Sequence, residues 1–187
     1  AETGRFRVRA GRQALEFGDG MLVEDPGWSN TGLTFDAVRL TLHSGRFRVD
    51  AFTGAPDEIN PEGFDKPARG ERLHGLYGSI EKLIPNATLE PYLFLRRMDL
   101  RFGEGAETGQ LDSRTAGFRW AGMLPQGFDY GMEMALQRGS QARQRVSAWA
   151  SSWTFGYSPI HVRHHPRLFV ELSRFSGDGN PRDGVHG

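Results

Sequence analysis

The chain has 187 residues and equal numbers of basic and acidic side chains, 23 Lys+Arg against 23 Asp+Glu, so its formal net charge is zero. Whole-chain charge therefore does not indicate nucleic acid or a polybasic membrane contact as the partner. Because cysteine is absent, disulfides, thiolate metal sites and a cysteine nucleophile are excluded. The 25 Gly, 10 Pro and 13 Phe favour many short strands joined by turns over long helices.

Alternation of apolar and polar residues predicts about nine β-strands in a single unit over residues 1–187. The first begins with arginine at every second position, so one face of this strand carries Arg5, Arg7 and Arg9 and the other face is apolar. The facing of one later stretch, LHGLYGSI, is left open because both of its parities are mixed. The predicted strands span residues 5–17, 33–43, 46–53, 71–82, 86–97, 112–123, 127–138, 145–157 and 166–174.

The predicted connections alternate in length along the chain. The short ones are 44–45, 83–85, 124–127 and 158–165, and the long polar ones are 18–32, 54–70, 98–111 and 139–144. Short turns at one end and long loops at the other are typical of an antiparallel up-and-down membrane β-barrel. No window approaches 18 consecutive apolar residues, which excludes a membrane-spanning helix. A soluble β-sandwich or lipocalin-like barrel remains the alternative.

Aromatic residues near the predicted strand ends favour the membrane barrel over the soluble alternative, since interfacial girdles are aromatic: Trp120, Tyr130, Trp149, Trp153 and Tyr157. If the apolar parity contacts lipid, the opposite parity lines a lumen with an excess of four positive charges. The lumenal charges are then Arg5, Arg7, Arg9, Arg39, Arg46, Arg48, Arg96, Arg119 and Arg167 against Asp50, Glu90, Asp129, Glu133 and Glu171.

The segment GRQALEFGDGMLVEDPGWSNTGLTFDAVRL at residues 11–40 resembles the signature of the bacterial alginate export porin family. The elements LHGLYGSI, LFLRRMDLR, TAGFRWAG, GFDYGMEMALQRG and SGDGNPRDG follow in an order similar to that family. The resemblance implies an eighteen-stranded outer-membrane barrel with an arginine-rich lumen that passes an anionic polysaccharide. Met21 and Leu33 depart from it, because basic residues usually stand there, which implies two fewer cationic contacts near the extracellular mouth.

Nine strands are half of eighteen, and a single-chain bacterial barrel has an even number of strands. We therefore expect this chain to form the N-terminal half of a longer barrel. Gly11 suggests a bulge that leaves the facing of Arg12 open, and Pro91 suggests a second bulge within its strand.

Eight arginines are the candidate pore-lining residues, because a guanidinium pairs with carboxylates through two parallel hydrogen bonds. They are Arg5, Arg7, Arg9, Arg12, Arg39, Arg48, Arg96 and Arg119. Arg12 enters this set through the family resemblance. The alternative is that some arginines only neutralise lumenal acids on neighbouring strands, and it applies most to Arg46, Arg48, Arg119 and Arg167.

Catalytic and metal-binding signals are weak in this sequence, so we expect no enzyme, no cofactor and no metal. The motifs G-x-S-x-G, HExxH and the P-loop are absent, and His161, His164 and His165 fall in one predicted turn without a nearby carboxylate. The acidic loop 178–183 lacks the spacing of an EF-hand. An outer-membrane phospholipase or protease would need a histidine beside Ser147, Ser151 or Ser152, and none is well placed.

The sequence thus predicts a porin of the cell outer membrane that passes an anionic polysaccharide such as alginate, or small anionic solutes, through an arginine-lined lumen. Its expected partners are outer-membrane lipid and periplasmic export machinery, and no nucleic acid. A general outer-membrane porin and a soluble β-sandwich or barrel that binds acidic glycans are the alternatives.

Overall fold

The computed structural model describes residues 4–18, 20, 34–58, 66–84, 86–101, 108–164, 166–177 and 185–186. The described chain is all-β, apart from a three-residue 3₁₀ turn at Pro125–Gly127. No helix in the described ranges is long and apolar enough to cross a membrane. The strands are β1 (Arg5–Ala14), β2 (Thr34–Ser44), β3 (Phe47–Glu58), β4 (Lys66–Pro67), β5 (Glu71–Glu81), β6 (Ala87–Arg101), β7 (Thr108–Met123), β8 (Phe128–Gln141), β9 (Gln144–Tyr157), β10 (Leu168–Phe175) and β11 (Val185–His186).

Nine long strands form one antiparallel meander in the order β1-β2-β3-β5-β6-β7-β8-β9-β10. The two-residue strands extend it at the margins, β4 against β3 and β11 parallel to β9. The prediction of an all-β antiparallel fold with nine main strands is confirmed. Within the described chain β1 and β10 do not pair with each other, so the sheet is open, as expected for part of a barrel.

Register sorts the side chains onto two faces. One row of successive Cα partners across the sheet reads Val8, Leu40, Ala51, Leu76, Leu93, Ala116, Leu136 and Trp149. The neighbouring row, on the opposite face, reads Arg7, Thr41, Asp50, Tyr77, Tyr92, Gly117, Ala135 and Ala150. We call the face of the first row the outer face and that of the second the inner face. This register also assigns Leu73 and Tyr77 to the inner face, which the sequence left open.

The outer face is apolar and uncovered. Leu76, Leu136 and Trp153 are 51%, 56% and 46% exposed, and soluble monomers rarely show a contiguous apolar patch of this kind. In the apolar rows on the turn side of the Val8–Trp149 row, the described outer face carries one charged side chain. It is Arg174, on the edge strand β10. The buried cluster lies instead on the inner face, where it includes Phe52. An apolar exterior around a polar and aromatic interior is the arrangement of a membrane barrel.

Three connections are shorter than the sequence predicts, and the first is 54–70, because β3 continues to Glu58. The expected long loop at 139–144 is wrong, because β8 continues to Gln141, β9 begins at Gln144, and only Ala142 and Arg143 form the turn. The expected loop at 98–111 is also reduced, since β6 reaches Arg101 and β7 begins at Thr108. Backbone hydrogen bonds extend these strands beyond the apolar part of the sheet. Side chains there are polar on both faces, so no alternation of hydrophobicity marks a strand in the sequence.

Neither expected bulge is present. At Gly11 the β1–β2 ladder keeps one register from Arg5 to Ala14, despite a φ of 111° at this glycine. Around Pro91 the β5–β6 register is likewise unchanged, because Tyr77 pairs with Tyr92 and Ile80 with Leu89 at equal separations on both strands. Pro91 lacks only the backbone N–H donor, and it stays in register with Phe118 of the neighbouring strand β7.

Glycine at position 75 makes room for the aromatic packing of the inner face. A Cβ there would overlap the Phe52 ring and lie 2.8 Å from Cδ1 of Phe94. We expect Gly75→Ala to lower the free energy of unfolding by about 1–3 kcal/mol through overpacking. Gly131→Ala is the control, because its nearest neighbour is Cβ of Thr154 at 3.9 Å. Urea unfolding of the full-length protein in detergent micelles, followed by tryptophan fluorescence, measures both, and equal stabilities would contradict the packing described.

Candidate functional site: an arginine cluster on the inner face

Five arginines meet on the inner face of β1, β2 and β3. With Thr41 and His43 they line an open cavity of about 420 Å³, and no carboxylate is among its lining residues. We call this group the inner arginine cluster: Arg5, Arg7, Arg9, Arg39 and Arg48. The period of two puts each of them on the same face of its strand, and the register of the two hairpins brings the three strands' arginines together.

Asp50 holds one side of the cluster together. Its side chain is only 1% exposed, Nε of Arg39 donates to Oδ1 at 2.9 Å, and Nε of Arg48 lies 2.8 Å from Oδ2. Thr41 Oγ1 also donates to Oδ1, at 2.5 Å. Both arginines thus use Nε, and within the described residues their terminal nitrogens make no hydrogen bond. These terminal nitrogens are therefore free to pair with an anion.

The remaining three members of the cluster have no counter-charge in the described part of the chain. Arg5, Arg7 and Arg9 form no ion pair there, and Arg9 lies directly opposite Arg39 across the β1–β2 ladder. Like charges directly opposite each other destabilise a sheet. With Asp50 counted, the cluster keeps an excess of four positive charges, which makes the cavity a field that attracts anions.

Two further candidates lie on the inner face but are paired. Arg96, near the loop end of β6, donates to Oε1 of Glu71 from Nε at 2.9 Å and from a terminal nitrogen at 2.6 Å. Arg119 donates to Oε2 of Glu90 at 2.7 Å, and both side chains are mostly buried. Their charges are neutralised locally, so they fit the alternative of a satisfied polar interior better than the members of the cluster do.

Arg12 lies on the outer parity, near the loop end of β1. It donates to both carboxylate oxygens of Asp36, at 3.1 and 3.0 Å, and lies 3.2 Å from Asp57. The next residue, Gln13, faces inward and donates to the carbonyl of Ala37 at 2.9 Å. The structure therefore does not bring Arg12 together with the cluster, although the resemblance placed it in the same set.

Two other arginines from the sequence reading lie at the turn end. Arg46 is in the tight turn between β2 and β3. Arg167 precedes β10 and donates to both oxygens of Asp129, at 3.1 and 2.6 Å. These hydrogen bonds raise the pKa of Arg167 above its ordinary value.

Sequence reasoning missed a segment that enters the interior. It extended the first strand to residue 17, but β1 ends at Ala14, and residues 15–18, which we call the inward segment, pack on the inner face. Leu15 is fully buried, and Phe17 stacks on Phe52 of β3 and Tyr77 of β5 at 5.1 and 4.8 Å between ring centroids. Leu15 and Phe17 continue the period of two but lie on the parity of the β1 arginines Arg5, Arg7 and Arg9. This move of apolar residues onto the arginine parity was the signal that the sequence offered.

The inward segment crosses several strands of the wall. Phe17 lies 6.2 Å from Phe94 of β6, and the Arg39 guanidinium lies 4.9 Å from its ring centroid. Gly18 follows with a φ of 62°, and a Cβ there would lie 3.1 Å from the Tyr77 hydroxyl and 3.2 Å from Cδ of Arg119. The segment therefore extends over β2 to β7, and a cation–π contact links it to the cluster.

Three regions singled out in the sequence lie outside the described residues. They are the two departures from the family pattern, Met21 and Leu33, then His165, and the acidic loop 178–183. Among the residues that are described, no group of three or more His, Asp or Glu side chains could hold a metal ion.

A meandering antiparallel sheet with an apolar exterior and a cationic interior defines the class of outer-membrane β-barrel porins. Comparison with known families narrows this class. A family model described as "Alginate export" matches residues 1–187, so the chain belongs to the alginate export family and the resemblance is confirmed. No curated protein and no solved structure matches the chain. The family is one of export channels, not of enzymes.

Removing the charge of Asp50 tests how the cluster is held. We expect Asp50→Asn to lower the free energy of unfolding by about 3–5 kcal/mol, because two guanidiniums then lose a buried counter-charge. Asp129→Asn is the control, since its partner Arg167 is exposed and the pair contributes little. Urea unfolding of the full-length protein measures both, and a smaller effect at Asp50 than at Asp129 would show that Asp50 does not hold the cluster.

Proposed function

We propose that the protein is a channel of the cell outer membrane that passes an anionic polysaccharide such as alginate, with the inner arginine cluster as its anion-attracting surface. One observation carries the proposal. Five guanidiniums surround one open cavity on the inner face, and a single buried carboxylate offsets them. Membership of the alginate export family supports the same function.

The cluster suits a polymer that has to move. Arg5, Arg7 and Arg9 are spaced two residues apart on β1, about 7 Å along a strand. A chain of carboxylates can pass from one guanidinium to the next, because each exposed pair is weak and exchanges readily. Arg39 and Arg48 are fixed through Nε by Asp50 and present their terminal nitrogens in a set geometry. The wall thus combines three arginines without an ion pair in the described chain and two that Asp50 positions.

The inward segment narrows the proposed lumen. It covers the aromatic wall of β3, β5 and β6 and leaves the arginines of β1 open to the cavity. The transported polymer is therefore directed toward the cationic wall. Passage through such a channel needs no covalent step, so we propose neither a catalytic centre nor a cofactor. Periplasmic export machinery would deliver the polymer to the turn end of the barrel.

A general anion porin is the second candidate, because the same excess of positive charge would also attract small anions. The two functions differ in whether an oligomeric anion blocks the ion current through the channel. A polysaccharide channel is blocked by oligouronates that occupy several guanidiniums at once, whereas a general porin shows anion preference without such a block.

Removing two unpaired charges should abolish the selectivity. We expect Arg7→Gln/Arg9→Gln to reduce the preference for chloride over potassium and to weaken block by oligouronates, because both residues line the cavity without a counter-charge in the described chain. Single-channel recording of the full-length protein in planar bilayers measures both properties. Arg97→Gln, on the outer face, should leave them unchanged. Unaltered selectivity in the double variant would refute the role of the cluster.

The place of the inward segment can be tested with a single cysteine, because the chain has none. Glu16 is exposed between the buried Leu15 and Phe17. In the full-length protein we expect a charged methanethiosulfonate reagent to reduce the single-channel current of Glu16→Cys in steps, because the adduct enters the lumen. Leu136→Cys, on the outer face, should show no change of current. Current through modified Glu16→Cys at its original level would show that the segment lies away from the ion path.

A further inference from the structure

A second group of arginines lies on the outer face, near the loop end of β5 to β9. We call it the outer arginine belt: Arg72, Arg97, Arg114, Arg138 and Arg145. All five are exposed, and they fall in two adjacent rows of the ladder. They share the parity of Leu76 and Leu136, so the sheet separates them from the inner arginine cluster.

The belt brings like charges directly opposite each other. Arg72 pairs in register with Arg97, and Arg114 with Arg138. Such pairs destabilise a sheet unless an anion lies between them. Two of these contacts on adjacent strands therefore indicate a partner with negative charge.

The belt is almost unneutralised in the described chain. Arg97 lies 3.1 Å from Asp112, and this is a solvent-exposed pair, with side chains 62% and 44% exposed. Arg72, Arg114 and Arg145 form no ion pair with any described residue. The belt thus keeps an excess of four positive charges.

The same level of the sheet is neutralised on β1 to β3. There Arg12 lies between Asp36 and Asp57, at 3.0 and 3.2 Å. In one sector the described arginine near the loop end is therefore held between two acids, whereas in the other sector five arginines share one paired acid, Asp112, within the described chain. The difference points to an external anion over β5 to β9 alone.

The belt is positioned at the edge of the apolar band. On β7 the band runs from Arg114 to Gly122, a separation of eight positions, or about 27 Å along the strand and about 21 Å after a tilt of about 40°. Trp149 lies one row below the belt, and Trp120 and Tyr130 mark the other edge. A hydrocarbon layer of this thickness ends at the level of the lipid phosphates, which is where the belt lies.

We propose that the outer arginine belt binds the phosphate groups of glycolipids in the outer leaflet of the membrane. The proposal rests on the proposed outer-membrane location, with the long loops outside. Guanidinium forks pair with phosphate oxygens through two hydrogen bonds each, and neighbouring arginines can share one phosphate. The exported polymer is not the occupant, because it travels on the other side of the sheet.

Lipid binding to the full-length protein in a neutral detergent tests the belt. Diphosphorylated lipid A is the probe, and native mass spectrometry counts the molecules bound. We expect Arg72→Gln/Arg97→Gln/Arg114→Gln/Arg138→Gln to bind it at least about tenfold more weakly than the unaltered protein. The control is Arg5→Gln/Arg7→Gln/Arg9→Gln, an inner-face variant that also loses several charges and should bind lipid A as before. If the quadruple variant does not fold, Arg114→Gln/Arg138→Gln is used in its place.

The other outcomes separate the alternatives. Equal lipid A binding by the belt variant would overturn the proposal, and so would displacement of lipid A by millimolar inorganic phosphate, because the site would then recognise free phosphate. Dephosphorylated lipid A should not bind. Anion selectivity in planar bilayers is measured on the same variants. The belt variant should keep it, so loss of lipid binding is distinguishable from failure of the proposed channel function.

Discussion

The register of the meander is the constraint on which the rest of the structure depends. Each strand has a side-chain period of two, and antiparallel partners share a face, so a single phase decides the facing of every residue. With Val8 opposite Leu40, all nine long strands present apolar residues outward, and Arg5, Arg7 and Arg9 of β1 point inward. A slip of one residue in any hairpin would place guanidiniums against lipid. The apolar exterior and the cationic interior are therefore two results of the same pairing.

Zero net charge conceals this separation. The inner arginine cluster and the outer arginine belt each keep an excess of four positive charges, on opposite faces of one sheet. Some other arginines are matched with acids, as Arg96 is with Glu71 and Arg119 with Glu90. Net charge over the whole chain thus says little about either surface, because the two groups lie on opposite faces of the sheet and an ion responds to the local field.

Alternation predicted the nine main strands and the facing of their arginines, because period two is a direct consequence of extended backbone. It failed where another force decides. Phe17 keeps the period of two, on the parity of the β1 arginines, but packs on the rings of Phe52 and Tyr77, a contact between residues far apart in sequence. Residues 139–144 look like a loop, but Gly139, Ser140 and the pair Gln141 and Gln144 belong to the β8–β9 ladder. The sequence indicated which arginines share the inner face. It did not indicate that the buried Asp50 pairs with Arg39 and Arg48, because the contact with Arg39 depends on the register of β2 with β3.

Arg39 connects the two parts of the proposed pore. Its Nε is held by Asp50 at 2.9 Å, and its guanidinium lies over the Phe17 ring at 4.9 Å. The inward segment packs against Arg39 on one side and against the aromatic wall on the other. Phe17, which narrows the proposed lumen, therefore contacts a residue that attracts the anion. A change in either part therefore alters the other. Narrowing without attraction would exclude a polyanion, and attraction without narrowing would not distinguish a polymer from a small ion. The joint arrangement supports a channel that selects by charge and by shape along one wall.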